Sequence, residues 1–171
     1  GIPGYAGKMP AVDDDRVGAL GSWLESAIVG LEEIDFHSLD VAGQLDMELL
    51  FGACRDEYQA ILERDWRHRD PLGFMPFHTI CRLVQDPGVD GWAALEAFLK
   101  GTPEFLRQAH AKLSEYPVLI PRIWVQVALN EGAAGIGFLK QLGSVDDAPP
   151  EMQALCDQAS QAVADYLKFL E

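Results

Sequence analysis

Apolar residues return every third or fourth position along most of this chain, and that spacing admits few folds. Val17, Leu20, Leu24, Ile28 and Leu31 form one series, widened by Trp23 and Ala27. Met47, Leu50, Cys54, Tyr58 and Ile61 form a second, widened by Leu45, Leu49 and Phe51. Met152, Leu155, Ala159, Val163, Tyr166, Leu167 and Leu170 form the cleanest of all. An α-helix turns once in 3.6 residues, so each series runs along one helix face. The second series is broad, which points to packing on more than one neighbour. No stretch alternates with the two-residue period of a half-buried strand. Val118-Leu119-Ile120 is β-branched enough to resemble one, but prolines at 117 and 121 bracket it and no partner strand is present. It reads as a buried connector.

Start and stop signals divide the pattern into six or seven helices. Asp13-Asp14-Asp15 opens the first, since carboxylates suit the positive end of a helix dipole. Ser38 or Asp40 caps the second, which runs to about Arg64. Pro76 starts a short helix with Phe77, Ile80, Cys81 and Val84, and Asp86-Pro87-Gly88 turns out of it. Asp90 caps a helix bearing Trp92, Leu95, Phe98 and Leu99, which Gly101 stops; Thr102-Pro103 restarts another with Phe105, Leu106, Ala109 and Leu113. A long helix from Pro121 is lined by Trp124, Val127, Ala128, Ala134, Ile136 and Phe138. Its Gly132, Gly135 and Gly137 each cost about 1 kcal/mol relative to Ala and mark a kink or a close helix approach. Residues 143–150 form a loop. The connections are short, so the expectation is an all-α, mostly antiparallel bundle or array with no sheet. A leader of residues 1–12, rich in Gly and Pro, is expected to be flexible, with one helical domain over 13–171 that is excised from a larger protein.

At 171 residues such a domain buries roughly 70% of its unfolded surface and folds without disulfides or metals. Its 27 Asp and Glu outnumber 13 Lys and Arg, for a formal charge of -14. Nucleic acid and anionic membranes are therefore poor partners, because both bind through Lys and Arg. No apolar run reaches the ~18 residues a membrane helix needs, and no signal-peptide core is present at the start. Cys54, Cys81 and Cys156 are widely spaced, as expected of buried free thiols in the reducing cytoplasm.

No complete catalytic or metal motif stands in the chain, so no cofactor is expected. The four histidines, His37, His68, His78 and His110, never fall one helical turn apart as a zinc peptidase motif requires. Asp65-x-x-His68 is a single half of the paired motif a di-iron bundle uses. His78 and Cys81 share a face without further ligands, and Cys81 lies among apolar residues unsuited to a reactive thiolate. What remains is the basic run Arg64, Arg67, His68 and Arg69. Guanidinium forks suit a carboxylate or phosphate, and equally they neutralise the acidic helix faces around them. Trp23, Trp92 and Trp124 sit on apolar stripes and are expected in the core.

One longer pattern runs through Asp35–Leu39, then Trp66-Arg67-His68-Arg69-Asp70-Pro71-Leu72-Gly73-Phe74, then Pro103 with Leu106, Ala109 and Leu113, then Ala162–Leu170. It resembles the N-terminal helical half of the bacterial family called domain of unknown function 885. Full-length members look like zinc-dependent peptidases whose metal motif lies in a further C-terminal part, so no ligand or catalytic residue carries over. The resemblance implies a wall of a substrate channel, with a groove for a peptide-like or carrier-borne chain; Trp66 and Trp124 are the candidate groove aromatics. Three functions follow as expectations. The first is a non-catalytic accessory module of a multidomain enzyme, docking on another domain or protein. The second is the front fragment of a zinc hydrolase, and the third a binder of a small anionic ligand through Arg64, Arg67, His68 and Arg69.

Overall fold

In a computed structural model that describes residues 7–86, 91–145 and 148–171, the periodic stripes become α-helices, and no strand occurs among those residues. The described residues form six α-helices: α1 Asp14–Glu32, α2 Val41–Tyr58, α3 Phe77–Gln85, α4 Gly91–Glu115, α5 Arg122–Gly143 and α6 Met152–Leu170. The turn expected at residues 86–88, the cap expected of Asp90, and part of the 143–150 loop fall at least partly outside the described residues, as do residues 1–6.

The chain parts into two units, Ala11–Trp66 and Arg67–Glu171, the second joined by the N-terminal residues up to Pro10. The first unit is a helical hairpin. Asp13 caps α1 by accepting the Arg16 N–H at 2.8 Å, and Asp40 caps α2 by accepting the Gly43 N–H at 2.8 Å. A single 3-10 turn, Phe36–Ser38, joins the two helices. Val17, Leu24, Cys54 and Ile61 form the hairpin core, with Leu20, Ile28, Leu31 and Tyr58 packed around it. Gly21 lets α1 close on the Leu62 side chain. Beyond Tyr58 the α-helix loosens into a π-helix, Gln59–Glu63, closed by the Arg64 N–H on the Gln59 carbonyl.

In the second unit α4 packs on α3 and α6, and α6 also packs on α5. Here the expected break at Gly101 does not occur: α4 runs unbroken from Gly91 to Glu115 with Pro103 inside it. Pro in a helix interior costs about 3 kcal/mol. Against that stands one stripe kept in register across the proline. Leu95, Phe98, Leu99, Thr102, Phe105, Leu106, Ala109 and Leu113 are all buried. Each large apolar side chain so buried stabilises by about 1.5–3 kcal/mol, and a break would turn half of them away. The Thr102 hydroxyl, expected to cap a new helix, instead donates back to the Phe98 carbonyl at 3.0 Å.

The α5 face is also not the expected one. Ala128, Gly132, Gly135, Leu139 and Leu142 are buried, whereas Trp124 and Val127 are exposed. A Cβ on Gly135 would enter the Phe77 ring, and one on Gly132 would press on Leu167. These glycines admit close approach rather than a kink; Gly137 meets nothing within 4 Å. The α6 stripe lies as its spacing indicates, with Met152, Leu155, Cys156, Ala159, Val163 and Tyr166 buried.

Residues 7–12 are not a loose leader. Gly7 is buried with φ +79°, and any side chain there would strike the Ala94 carbonyl. Met9 packs on Gly101 of α4, and Val12 is buried. The Gly and Pro content opposes regular structure but not packing. The proline-bracketed connector is likewise corrected: it forms a 3-10 turn, Pro117–Leu119, with Val118 89% exposed.

Candidate functional site

A strained residue precedes the stretch Trp66–Phe74. Asp65 has φ +36°, in the left-handed region that costs a non-glycine residue about 1 kcal/mol. A 3-10 turn, Trp66–His68, follows. The Asp70 carboxylate then accepts the Leu72 N–H at 2.9 Å, an Asx turn that folds the backbone over Pro71. Pro71 is among the fully buried residues, and its carbonyl accepts the Tyr166 hydroxyl at 2.9 Å. Phe74 is wholly buried, 5.6 Å from the Phe105 ring. From Pro71 to Phe74 this run, punctuated like a loop, is thus an anchor in the core of the second unit.

The structure does not gather the basic side chains into one patch. Arg64 is exposed and Trp66 packs on the hairpin core, both in the first unit. Arg67 is only 5% exposed. His68 lies against the end of α4: its Nδ1 is 3.1 Å from the Lys112 carbonyl oxygen and 3.7 Å from a Glu115 carboxylate oxygen, and its ring meets Tyr116 edge-on. Lys112 in turn reaches Glu115 at 3.1 Å. The Nε–H of Arg69 is buried with no hydrogen-bond partner. Trp124 stands 37% exposed on α5 and belongs to a different unit from Trp66.

More unusual is what the helices leave uncovered. Within residues 116–127, Tyr116, Val118, Leu119, Ile123, Trp124 and Val127 are all exposed. On α2, Val41, Leu45 and Leu49 are 84%, 56% and 65% exposed, and their four-residue spacing sets them on one face. The broad α2 stripe thus covers α1 with part of its width and leaves the rest bare.

Beside that face, α1 and the end of α2 enclose an open cleft of about 450 Å³. Glu25, Ile28 and Glu32 line it from α1, and Arg55, Tyr58 and Glu63 from α2 and the π-helix. Tyr58 donates its hydroxyl to Glu25 at 2.7 Å, and that bond holds the phenol above its ordinary range. Sequence reading missed this cleft. Its residues flank the apolar stripes, where polar side chains look like ordinary solvated positions, and a π-helix has no sequence signature.

Among the described residues no three His, Cys, Asp or Glu side chains are placed to hold a metal ion, and no helix is long and apolar enough to cross a membrane. Cys54 and Cys156 are buried and Cys81 is half-buried. Burial, with Asp157 adjacent, pushes the Cys156 thiol up to about 11.

No family model and no curated protein matches this chain. Among solved structures it is similar to a candidate lipoprotein of unknown function from Shewanella oneidensis, with TM-score 0.79 and 14% identity, over 98% of this chain and 32% of that one. The chain spans about a third of that protein's length, and at this identity the likeness extends to the fold alone.

Proposed function

We propose that this chain is a non-catalytic helical module that docks on a neighbouring domain or protein as one part of a larger multidomain enzyme. The observation that supports this is the run of six large apolar side chains exposed between Tyr116 and Val127. Large apolar side chains exposed together along one short segment mark an interaction site more often than ones scattered singly do. Similarity of nearly the whole chain to one third of a longer protein is in keeping with a module inside a larger polypeptide. So is the resemblance of its Trp66–Phe74 and Pro103–Leu113 segments to the front half of domain of unknown function 885 proteins, whose chemistry resides elsewhere. A photo-crosslinking residue at Val118 or Ile123, expressed in the native cell, tests the reading. Crosslinks from both positions to one defined polypeptide, or to another domain of the same one, support it. Crosslinks to nothing, or to an unselective mixture, overturn it.

A second reading, a site for a small anion, is favoured by the Arg69 Nε–H, buried without a hydrogen-bond partner. An unpartnered buried donor of that kind costs about 1–3 kcal/mol and is relieved by an acceptor. Phosphate and acetate titrations followed by the arginine Nε resonances test it. A saturable shift lost in Arg69→Ala supports the site; identical affinities in wild type and variant remove it.

A further inference from the structure

The bare face of α2 and the cleft beside it carry a more specific inference, which rests on the docking reading but concerns a different surface. Between Ala11 and Trp66 the sequence holds 14 Asp and Glu against 3 Arg and no Lys, a formal charge of -11 out of -14 for the whole chain. The hairpin is therefore the electrostatic extreme of the molecule. It also carries the exposed stripe Val41, Leu45 and Leu49. At three- and four-residue spacing that stripe continues through Gly52, which has nothing within 4 Å of its Cβ position, to Arg55 and Gln59 at the cleft wall. The cleft itself is lined by Glu25, Glu32 and Glu63 against the single cation Arg55, with Ile28 and Val29 as its apolar side chains.

We infer that this face receives an amphipathic helix of a partner protein, apolar on one side and rich in Lys and Arg on the other. An apolar stripe at helical spacing accepts the i, i+3, i+4, i+7 anchors of a second helix. Gly52 lets the two backbones approach. A lysine or arginine beside the anchors lays its aliphatic stem on Ile28 and sets its charged head among the three glutamates. Charge selects among occupants. A second copy of this chain would bring another -11 against the first, and like charges brought together across an interface cost several kcal/mol. An anionic lipid surface or a nucleic acid is repelled in the same way. A cationic helix is drawn in, with its rate and strength falling as salt screens the field.

The test uses the full chain and three labelled 18-residue helical peptides, read by fluorescence anisotropy. One has leucine at every third or fourth position and lysine on the flanks. The second has glutamate for lysine, and the third has the lysines but a scrambled apolar pattern. Binding is expected for the first alone, weakening at least tenfold between about 50 and 500 mM salt. Leu45→Asp with Leu49→Asp is the decisive variant. It adds negative charge, so general attraction would tighten, whereas loss of the apolar seat weakens binding tenfold or more. Glu25→Gln with Glu32→Gln is expected to weaken binding and flatten the salt dependence; both pairs lie on the surface, and circular dichroism confirms their fold. No binding of the first peptide overturns the inference. So does equal binding of the first and third, retained binding in Leu45→Asp/Leu49→Asp, or self-association that the same variant abolishes. Crosslinks at Val118 and Ile123 are read independently, so loss of the peptide site and loss of the docking reading are told apart.

Discussion

The Tyr166 hydroxyl and the Pro71 carbonyl, 95 residues apart in sequence, meet at 2.9 Å in the interior. This bond ties the cleanest helix of the chain to its most punctuated segment. It also gives the phenol an acceptor where water does not reach: Tyr166 is 2% exposed.

Tyr166→Phe keeps the ring and removes the donor, leaving a buried carbonyl unpaired. The expected cost is about 1–3 kcal/mol. Urea unfolding should show a lower midpoint with an unchanged slope. An unchanged midpoint would mean that water or another donor replaces the hydroxyl.

The same residue makes the fold sensitive to alkali. Burial, and the Asp70 carboxylate beside it, raise the phenol well above its ordinary 10.0. The folded state therefore holds this proton where the unfolded state has lost it. Stability from this group is complete below about pH 10 and drains away as pH rises further, by about 1.4 kcal/mol per pH unit. Unfolding measured between about pH 9 and 11 should fall more steeply for the wild type than for Tyr166→Phe. Parallel curves would show that the phenol ionises freely in the folded protein.

Three glycines of α5 should respond differently to the same substitution. Gly137→Ala meets open space and gains helix propensity, up to about 1 kcal/mol. Gly135→Ala drives a methyl into the buried Phe77 ring and should destabilise by about 1–3 kcal/mol despite the same propensity gain. Gly132→Ala should fall between them, because Leu167 is a flexible neighbour. Thermal or urea denaturation of the three variants decides the order, and equal effects would mean that α5 does not pack through its glycines.

The thiols should separate under alkylation. Cys81 is half-buried, whereas Cys156 is buried with its thiol pushed up to about 11. The thiolate is the reactive form, so at about pH 8 Cys81 should label first and Cys156 only as fast as the protein opens. Intact-mass spectrometry of timed iodoacetamide reactions reads this. Rapid labelling of Cys156 in the folded protein would contradict its burial.

How much of this was legible beforehand differs by residue. The acidic run from Asp13 opens α1, with Asp13 as its cap, Asp40 rather than Ser38 caps α2, and Met152 through Tyr166 bury the face their spacing marks. Those features rest on neighbours within a few residues. The basic run could not be read as one patch or several, since Arg64 is exposed, Arg67 buried and His68 held by the end of α4.

The order of residues alone determined that this chain is all-α, because a 3.6-residue period in apolar side chains acts locally and needs no distant partner. Tertiary structure alone decided that α4 passes through Pro103, that α5 packs on glycines rather than on Trp124, and that Leu45, Leu49 and Val118 stay bare. The physical reason is that periodicity states which way a side chain points around its helix axis, whereas burial depends on which other helix, brought from far along the chain, comes to lie there.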